Sequence, residues 1–145
     1  GHRLGAIAAG SDLVFQLAKI IDNIQICAPR TVQHALAPMI EKLADWRHQN
    51  RQRIAARVRV FRHALDQLDG WELLSSGAYF GFVRHPFSGV NSVEVAQIMA
   101  QKAGVLVIPG AFFGDGQDQM LRFAFANAGR DVIAKLPDRL SKLTL

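Results

Sequence analysis

Cysteine, clustered histidine and long apolar runs are all scarce in this chain. Its 145 residues include one cysteine, Cys27, so no internal disulfide forms, and we expect this thiol to be a small buried side chain in a reducing compartment. The five histidines lack the spacing of metal ligands, so no metal site is predicted. The longest nearly apolar stretch, residues 104–114, is broken by Pro109 and is far too short to cross a bilayer. These absences predict a soluble, cytoplasmic protein with no membrane partner.

The remaining composition is that of an ordinary globular domain. Half of the residues are hydrophobic and 20% are charged, which excludes disordered and fibrous classes. The length corresponds to about one domain and is sufficient for a hydrophobic core. The sequence begins at Gly1 without an initiator methionine, and we therefore expect a piece of a longer protein.

The net charge of +5 comes from one segment. Residues 47–62 contain six arginines and no acidic residue, so this segment alone carries +6. Apolar residues in and just after it recur at helical spacing: Ile54, Val58, Phe61, Leu65 and Leu68. Because the arginines lie on both sides of this stripe and behind it, a solvated helix is favoured. The alternative is a basic nucleic-acid-binding module that contacts phosphates.

The apolar pattern of the first half predicts one strand and three helices. Residues 3–9 are small and apolar, as in a strand buried on both faces. Ser11 is predicted as the N-cap of the first helix, and a second helix follows Pro29. Pro38 interrupts that second helix and is predicted as the domain boundary. A long helix then covers residues 39–68 and stops at Gly70.

The second half predicts short strands alternating with helices. Strands are expected over residues 71–74, 79–84, 105–108 and 120–125, with turns at 75–77 and 114–116. Helices are expected over residues 92–103, with Ser92 as the N-cap, and over 131–143. The whole chain is therefore predicted to be of mixed α/β class.

Two arginines stand out as candidate anion ligands. Arg3 lies between Gly1 and Gly5, where a guanidinium could grip a phosphate or a carboxylate. Arg122 is the only charge in an apolar strand, where an unpaired cation is costly. Its partner is either a bound anionic ligand or an internal acid, for which the nearby candidates are Asp115, Asp118 and Asp131.

Four segments, in this order, resemble the C-terminal part of the aspartate-aminotransferase-like class I/II group of pyridoxal-phosphate-dependent aminotransferases. They are Gly1-His2-Arg3-Leu4-Gly5, Gly77-Ala78-Tyr79-Phe80, the Pro109-Gly110 step with Phe113-Gly114, and Leu121-Arg122-Phe123-Ala124-Phe125-Ala126. Arg139-Leu140 resembles an Arg-Leu pair in the last helix of that family. The resemblance covers nearly the whole chain.

The resemblance implies a fold, a cofactor and a reaction. Fold type I is expected, with residues 1–37 as a remnant of the large cofactor-binding domain and residues 38–145 as the α+β C-terminal small domain, which begins with a long helix. Arg3 would bind the phosphate of pyridoxal 5′-phosphate, and Arg122 would bind the α-carboxylate of the substrate. The full-length protein would be a homodimer that moves an amino group between an amino acid and a 2-oxo acid in amino acid metabolism and biosynthesis.

One part of the family pattern is missing. The Schiff-base lysine of the family precedes the segment that resembles Gly1–Gly5, and no lysine of this chain stands in its place. No catalytic residue is therefore assigned, and the chain alone is expected to be inactive. Carbon–sulfur lyases, decarboxylases and aminotransferase-like domains of regulators resemble the same group, and they remain alternatives.

Overall fold

The computed structural model describes residues 3–143, which leaves Gly1 and His2 of the first motif outside the described residues. The chain divides into two compact units, Gly1–His48 and Gln49–Leu145, which we call unit 1 and unit 2. The two domains predicted to meet at Pro38 concern the larger protein, and that boundary stays a prediction. Within residues 3–143, no helix is long and apolar enough to cross a membrane.

Unit 1 is built from helices. Helix α1 covers Ser11–Ile24 and helix α2 covers Arg30–Leu36, and a 3₁₀ turn at Ala37–Met39 follows, as expected from the proline within it. Gly10, and not Ser11, is the N-cap of α1. The strand predicted over residues 3–9 is wrong, because this segment has no regular structure and no described strand of unit 1 could pair with it.

Unit 1 has an exposed apolar surface. None of its described residues is buried, and Phe15, Ile24 and Ile26 are 63%, 78% and 82% exposed. Cys27 is exposed as well, which corrects the expectation of a buried thiol. The reason is that unit 1 has no core of its own in which a small side chain could be enclosed.

Helix α3 (Ala44–Leu65) contains the arginine-rich segment and is shorter than the predicted helix at both ends. Its apolar stripe is confirmed: Phe61, Leu65 and Leu68 are buried, and Ile54 and Val58 pack against the core. Several of its arginines donate to nearby acceptors, including Arg57 to the carbonyl of Ala126 and Arg62 to Ser76 Oγ at 2.8 Å. These arginines therefore fasten the helix to its surroundings, which favours the structural interpretation of the segment.

A four-stranded antiparallel sheet organises unit 2. The strands are β1 (Glu72–Gly77), β2 (Phe80–Arg84), β3 (Ile108–Pro109) and β4 (Met120–Phe123), in the order β1-β2-β4-β3. The turn predicted at residues 75–77 is wrong, since β1 continues through it and the chain reverses at Ala78 and Tyr79. The strand predicted over 105–108 is reduced to β3, because only Ile108 and Pro109 find partners on β4.

The remaining helices are short. They are α4 (Ser92–Ile98), one π-helical turn at Met99–Ala103, α5 (Arg130–Ile133) and α6 (Leu136–Leu140). The cap of α4 is Asn91, whose side chain accepts from the backbone N–H groups of Val93 and Glu94, and not Ser92 as predicted. The predicted helix over 131–143 is divided into α5 and α6, because Pro137 lacks the amide donor that a continuous helix needs.

Arg139 of α6 caps the C-terminal end of the π-helical turn at Met99–Ala103. The chain leaves the π-helical turn at Gly104 with φ 62°, a left-handed conformation that glycine adopts without penalty. Arg139 Nη1 donates to the carbonyl oxygens of Ala103 and Gly104 at 3.4 and 3.1 Å. Carbonyl groups that a helix end leaves without partners are thus satisfied by a residue far along the chain.

The core of unit 2 lies on one face of the sheet. Side chains from the helices and from alternate strand residues meet there, among them Phe61, Val83, Val95, Met99, Leu121, Phe123, Phe125, Ile133, Leu136 and Leu140. Phe61 is 1% exposed, and its ring centre lies 5.5 Å from that of Phe123 and 5.4 Å from that of Phe125. This aromatic cluster joins α3 to the sheet.

His85 is a buried titratable residue beside the sheet, and it predicts a pH-dependent stability. The ring is 2% exposed, Nδ1 has no hydrogen-bond partner, and Nε2 lies 3.4 Å from the carbonyl oxygen of Asp118. Burial lowers the pKa of His85, and the contact with Asp118 offsets this only in part. The unfolded chain therefore binds more protons than the folded chain as the pH falls below about 6.5.

We expect the free energy of unfolding to decrease as the pH falls from about 7 towards 5, by at most about 1.4 kcal/mol per pH unit from this residue. The measurement is urea unfolding at several pH values, for the parent chain and for His85→Gln. The variant should lose this part of the pH dependence, and His63→Gln, which changes an exposed histidine of α3, should keep it. Equal pH dependence in the parent chain and His85→Gln would show that His85 does not titrate on unfolding.

Candidate functional site

The face of the sheet opposite the core presents Arg122 beside apolar side chains. The strand register places Arg122 of β4 between Phe82 of β2 and Ile108 of β3. Directly paired residues point to the same side of a sheet, so these three side chains form one row. Phe80, two residues before Phe82, lies on the same side. We call this group, Phe80, Phe82, Ile108 and Arg122, the arginine face.

Two phenylalanine rings hold the guanidinium of Arg122. Its central carbon lies 4.3 Å from the ring centre of Phe80 and 4.9 Å from that of Phe113, which belongs to the 3₁₀ turn Gly110–Phe113. The Phe113 ring also packs edge to face against Phe82, with 6.2 Å between ring centres. A ring face attracts the guanidinium as a cation but accepts no conventional hydrogen bond from its N–H groups, so these contacts leave the donors without acceptors.

No acidic side chain forms an ion pair with Arg122 in the described part of the chain. Arg84 and Glu72 form an ion pair there, and Arg122 takes no part in it. The internal alternatives Asp115, Asp118 and Asp131 are thus not partners of Arg122. Its Nε is buried without any hydrogen-bond acceptor, and an unsatisfied buried donor costs about 1–3 kcal/mol. An anion that accepts from this donor would recover that cost, and a carboxylate has two oxygens at the spacing of a guanidinium fork.

Arg3 is the second predicted site residue, and it lies in unit 1. Its side chain is exposed, and its backbone has φ 53°, a left-handed conformation that costs about 1–2 kcal/mol for a residue other than glycine. Neither an acid nor a hydrogen-bond acceptor pairs with it within residues 3–143. Nothing lies within 4 Å of a side chain built at Gly5, so the approach to the neighbouring backbone is open. That Arg3 and Arg122 serve one site stays a prediction.

Metal chemistry finds no support among the described residues. No group of three or more histidine, cysteine, aspartate or glutamate side chains is gathered there. The chemistry that the arginine face supports is instead the binding of one carboxylate against an apolar, aromatic background.

Comparison with known protein families shows which family the chain belongs to. The model of the family described as aminotransferase class I and II matches residues 1–140. The chain belongs to the class I and II aminotransferases. The family predicted from the four segments is thereby confirmed, and pyridoxal 5′-phosphate is the cofactor that this membership implies.

Individual relatives agree with this membership. The chain is 26% identical to an aspartate aminotransferase of Pyrococcus abyssi over 145 residues, which is 99% of this chain and 37% of the relative. It is 32% identical to an LL-diaminopimelate aminotransferase of Moorella thermoacetica over 129 residues, or 86% of this chain and 32% of the relative. The chain therefore spans about a third of the length of the relatives it matches.

Solved structures support the fold. A pyridoxal-phosphate-dependent aminotransferase from Streptococcus suis superposes with a TM-score of 0.73 at 20% identity, covering 98% of this chain and 37% of that protein. N-Succinyldiaminopimelate aminotransferase from Mycobacterium tuberculosis gives 0.70 at 22% identity over 94% of this chain and 36% of its own. The expected fold, α/β with fold type I architecture, is confirmed.

Sequence reasoning located Arg122 but missed the two rings that hold it. Phe80 and Phe113 lie within the segments Gly77–Phe80 and Pro109–Gly114, which were noted for their resemblance and given no role of their own. The available signal was that each segment has an aromatic residue at or next to its C-terminal end, beside a turn. Only the sheet register and the path of the 3₁₀ turn bring both rings to one guanidinium.

Proposed function

We propose that the full-length protein is a pyridoxal-phosphate-dependent aminotransferase that moves an amino group between an amino acid and a 2-oxo acid. The observation that carries the proposal is the unpaired guanidinium of Arg122, which contacts the rings of Phe80 and Phe113. The relatives named above are aminotransferases, which favours group transfer over lyase or decarboxylase chemistry.

Arg122 binds the α-carboxylate in this proposal. Its donor edge provides two parallel N–H groups, one of them the buried Nε, and a carboxylate accepts both. The two rings restrict rotation of the side chain, so less conformational entropy is lost when the substrate binds. Orienting the carboxylate in turn orients the α-hydrogen that the reaction must remove.

Arg3 binds the phosphate of the cofactor. Its exposed guanidinium without an internal partner and the open backbone at Gly5 are what a phosphate ligand requires, so the residues present fit this part of the cofactor. When bound, pyridoxal phosphate draws electrons away from the α-carbon of the amino acid, which is the chemistry that the protein itself lacks. Arg3 contributes charge neutralisation and anchoring.

The setting of the reaction is part of the same proposal. We infer that the full-length protein is a cytoplasmic homodimer that acts in amino acid biosynthesis. Family resemblance supports this assignment, and the lone thiol Cys27 agrees with a reducing compartment.

The experiment that tests the proposal compares the 145-residue chain with the full-length protein. Each is incubated with pyridoxal phosphate, a panel of amino acids and a 2-oxo acid, and the new amino acid is measured by chromatography. We expect transfer only by the full-length protein, because the family's Schiff-base lysine belongs upstream of Gly1. Activity of the chain alone would contradict the expected inactivity, and no transfer by the full-length protein with any amino acid would overturn the function.

A separate measurement isolates Arg3. In the full-length protein, Arg3→Gln should weaken retention of pyridoxal phosphate by about tenfold, as measured by equilibrium dialysis without substrate. Arg30→Gln, which changes an exposed arginine of α2, is the control and should retain the cofactor normally. Equal retention in both variants would remove Arg3 from the phosphate site.

A further inference from the structure

A basic groove in unit 2 has no role in the proposed reaction. Helix α3 forms one wall and the start of α5 forms the other of an open surface groove of about 440 Å³. Its lining consists of Gln49, Gln52, Arg53, Ala56, Arg57, Gly129 and Arg130. Three guanidinium groups, two primary amides and no acidic side chain therefore border one concave space, which we call the basic groove.

The charges of the basic groove are not neutralised within the described chain. Arg53 and Arg57 are four residues apart on α3, where like charges are neighbours and repel each other. Arg57 is fixed by donating to the carbonyl of Ala126, which supplies no full negative charge. Neither Arg53 nor Arg130 pairs with an acid or with a hydrogen-bond acceptor in residues 3–143. An external anion would relieve this repulsion.

Asp131 follows the groove residues Gly129 and Arg130 in the chain and is not part of the groove lining. Asp131 directs Oδ1 towards Gly129, where it would lie 2.5 Å from an added side-chain carbon. It forms no ion pair with any of the three arginines. A side chain at position 129 would collide with this carboxylate, so glycine is favoured there.

We propose that the basic groove binds a phosphate group of a small molecule. Three arginines offer more donors than the two oxygens of a carboxylate can accept, whereas a phosphate monoester presents three oxygens to them. The volume is within the range of small-molecule sites, so there is room for the group that carries the phosphate. This proposal is independent of the aminotransferase function, since it uses neither Arg3 nor the arginine face.

The test is a calorimetric titration of the 145-residue chain with inorganic phosphate and then pyrophosphate, at constant ionic strength. Arg53→Gln and Arg130→Gln should each weaken binding by about tenfold, because each removes a charged donor. Arg57 is left in place, since it also holds Ala126. Arg59→Gln is the matched control: it removes an exposed arginine from the same helix outside the groove and should leave the affinity unchanged.

Further titrations distinguish phosphate binding in the basic groove from binding elsewhere on the protein and from binding of any dianion. Arg3→Gln should leave the phosphate binding that depends on Arg53 and Arg130 unchanged. If Arg3→Gln instead abolishes all phosphate binding by the chain, Arg3 is the phosphate site and the proposal is overturned. Succinate at equal ionic strength should bind at least about tenfold more weakly than pyrophosphate. The titration is repeated on the full-length protein. Loss of binding there would show that another part of the protein fills the groove and would also overturn the proposal, as would an equal loss in Arg59→Gln.

Discussion

Replacing Arg122 with leucine is expected to lower kcat/KM of the full-length protein for its amino acid substrate by about a hundredfold or more. The physical reason is the loss of two charge-assisted hydrogen bonds to the α-carboxylate, together worth about 3 kcal/mol or more. Arg122→Lys should lower kcat/KM by about tenfold, because an ammonium group keeps the charge but cannot form two parallel hydrogen bonds to the carboxylate. The measurement is steady-state kinetics over a range of amino acid concentrations.

A matched substrate shows whether the effect acts through the carboxylate. The amine with the same side chain but no carboxylate has nothing for the guanidinium to bind, so its low rate should be the same in the parent enzyme and in Arg122→Leu. If Arg122→Leu lowers kcat/KM for the amine as much as it lowers kcat/KM for the amino acid, then Arg122 supports the fold or the cofactor and does not hold the substrate. Cofactor absorbance, recorded for each variant, separates those two outcomes.

The two rings that contact the guanidinium predict a smaller effect of the same kind. Phe113→Leu should raise KM about fivefold, because one cation–π contact of about 1 kcal/mol is lost and Arg122 gains freedom. Phe113→Tyr keeps the ring and should behave like the parent. Phe112→Leu changes the adjacent, 69% exposed residue and should have no effect. A KM increase for Phe112→Leu as large as that for Phe113→Leu would contradict the role of the ring.

The largest effect on stability is expected at Phe61. Phe61→Ala should lower the free energy of unfolding by about 3–5 kcal/mol, a large share of the stability of a small domain. The ring is 1% exposed and contacts both Phe123 and Phe125, so its removal leaves a cavity between α3 and the sheet. Urea unfolding, followed by the fluorescence of Trp71, measures the change, since that indole packs edge to face on Phe123 at 6.3 Å.

Gly81 provides a sharp control, because it lies directly under this ring. A side-chain carbon at Gly81 would stand 2.5 Å from Phe61 Cε1 and 3.2 Å from Leu73 Cδ1, so Gly81→Ala alone should cost about 1–3 kcal/mol. In the Phe61→Ala background the added methyl group enters the space that the ring has left. The double variant should therefore lose less free energy of unfolding than the sum of the two single variants, by at least about 0.5 kcal/mol. Strict additivity would show that the two positions do not share a cavity.

The chemistry of the site was more predictable than its packing. An isolated arginine in an apolar strand indicates an anionic partner wherever the strand lies, because burial of an unpaired cation is costly. That argument left an internal acid open, and only the structure shows that rings, and not carboxylates, surround Arg122. The contacts depend on register, which a local pattern does not determine.

The errors in predicted structure have a common origin. Residues 3–9 have the composition of a strand, yet a strand exists only where another can pair with it. Ser75 and Ser76 have the composition of a turn, yet pairing with β2 draws them into β1. In each case long-range pairing decided the outcome, whereas the apolar stripe of α3, a local periodic signal, was predicted correctly.

The bond between Arg139 and the carbonyls of Ala103 and Gly104 has a consequence for synthesis of the protein. The partners are separated by 35 and 36 positions, and Leu136, Leu140 and Leu143 of the core lie in the same late segment. When the ribosome has synthesised all four strands, it has therefore not yet synthesised α6 and the core residues that α6 contributes. We expect unit 2 to complete its core only after α6 has left the exit tunnel, so a nascent chain halted before Leu136 should be cleaved by proteases faster than a chain that includes α6.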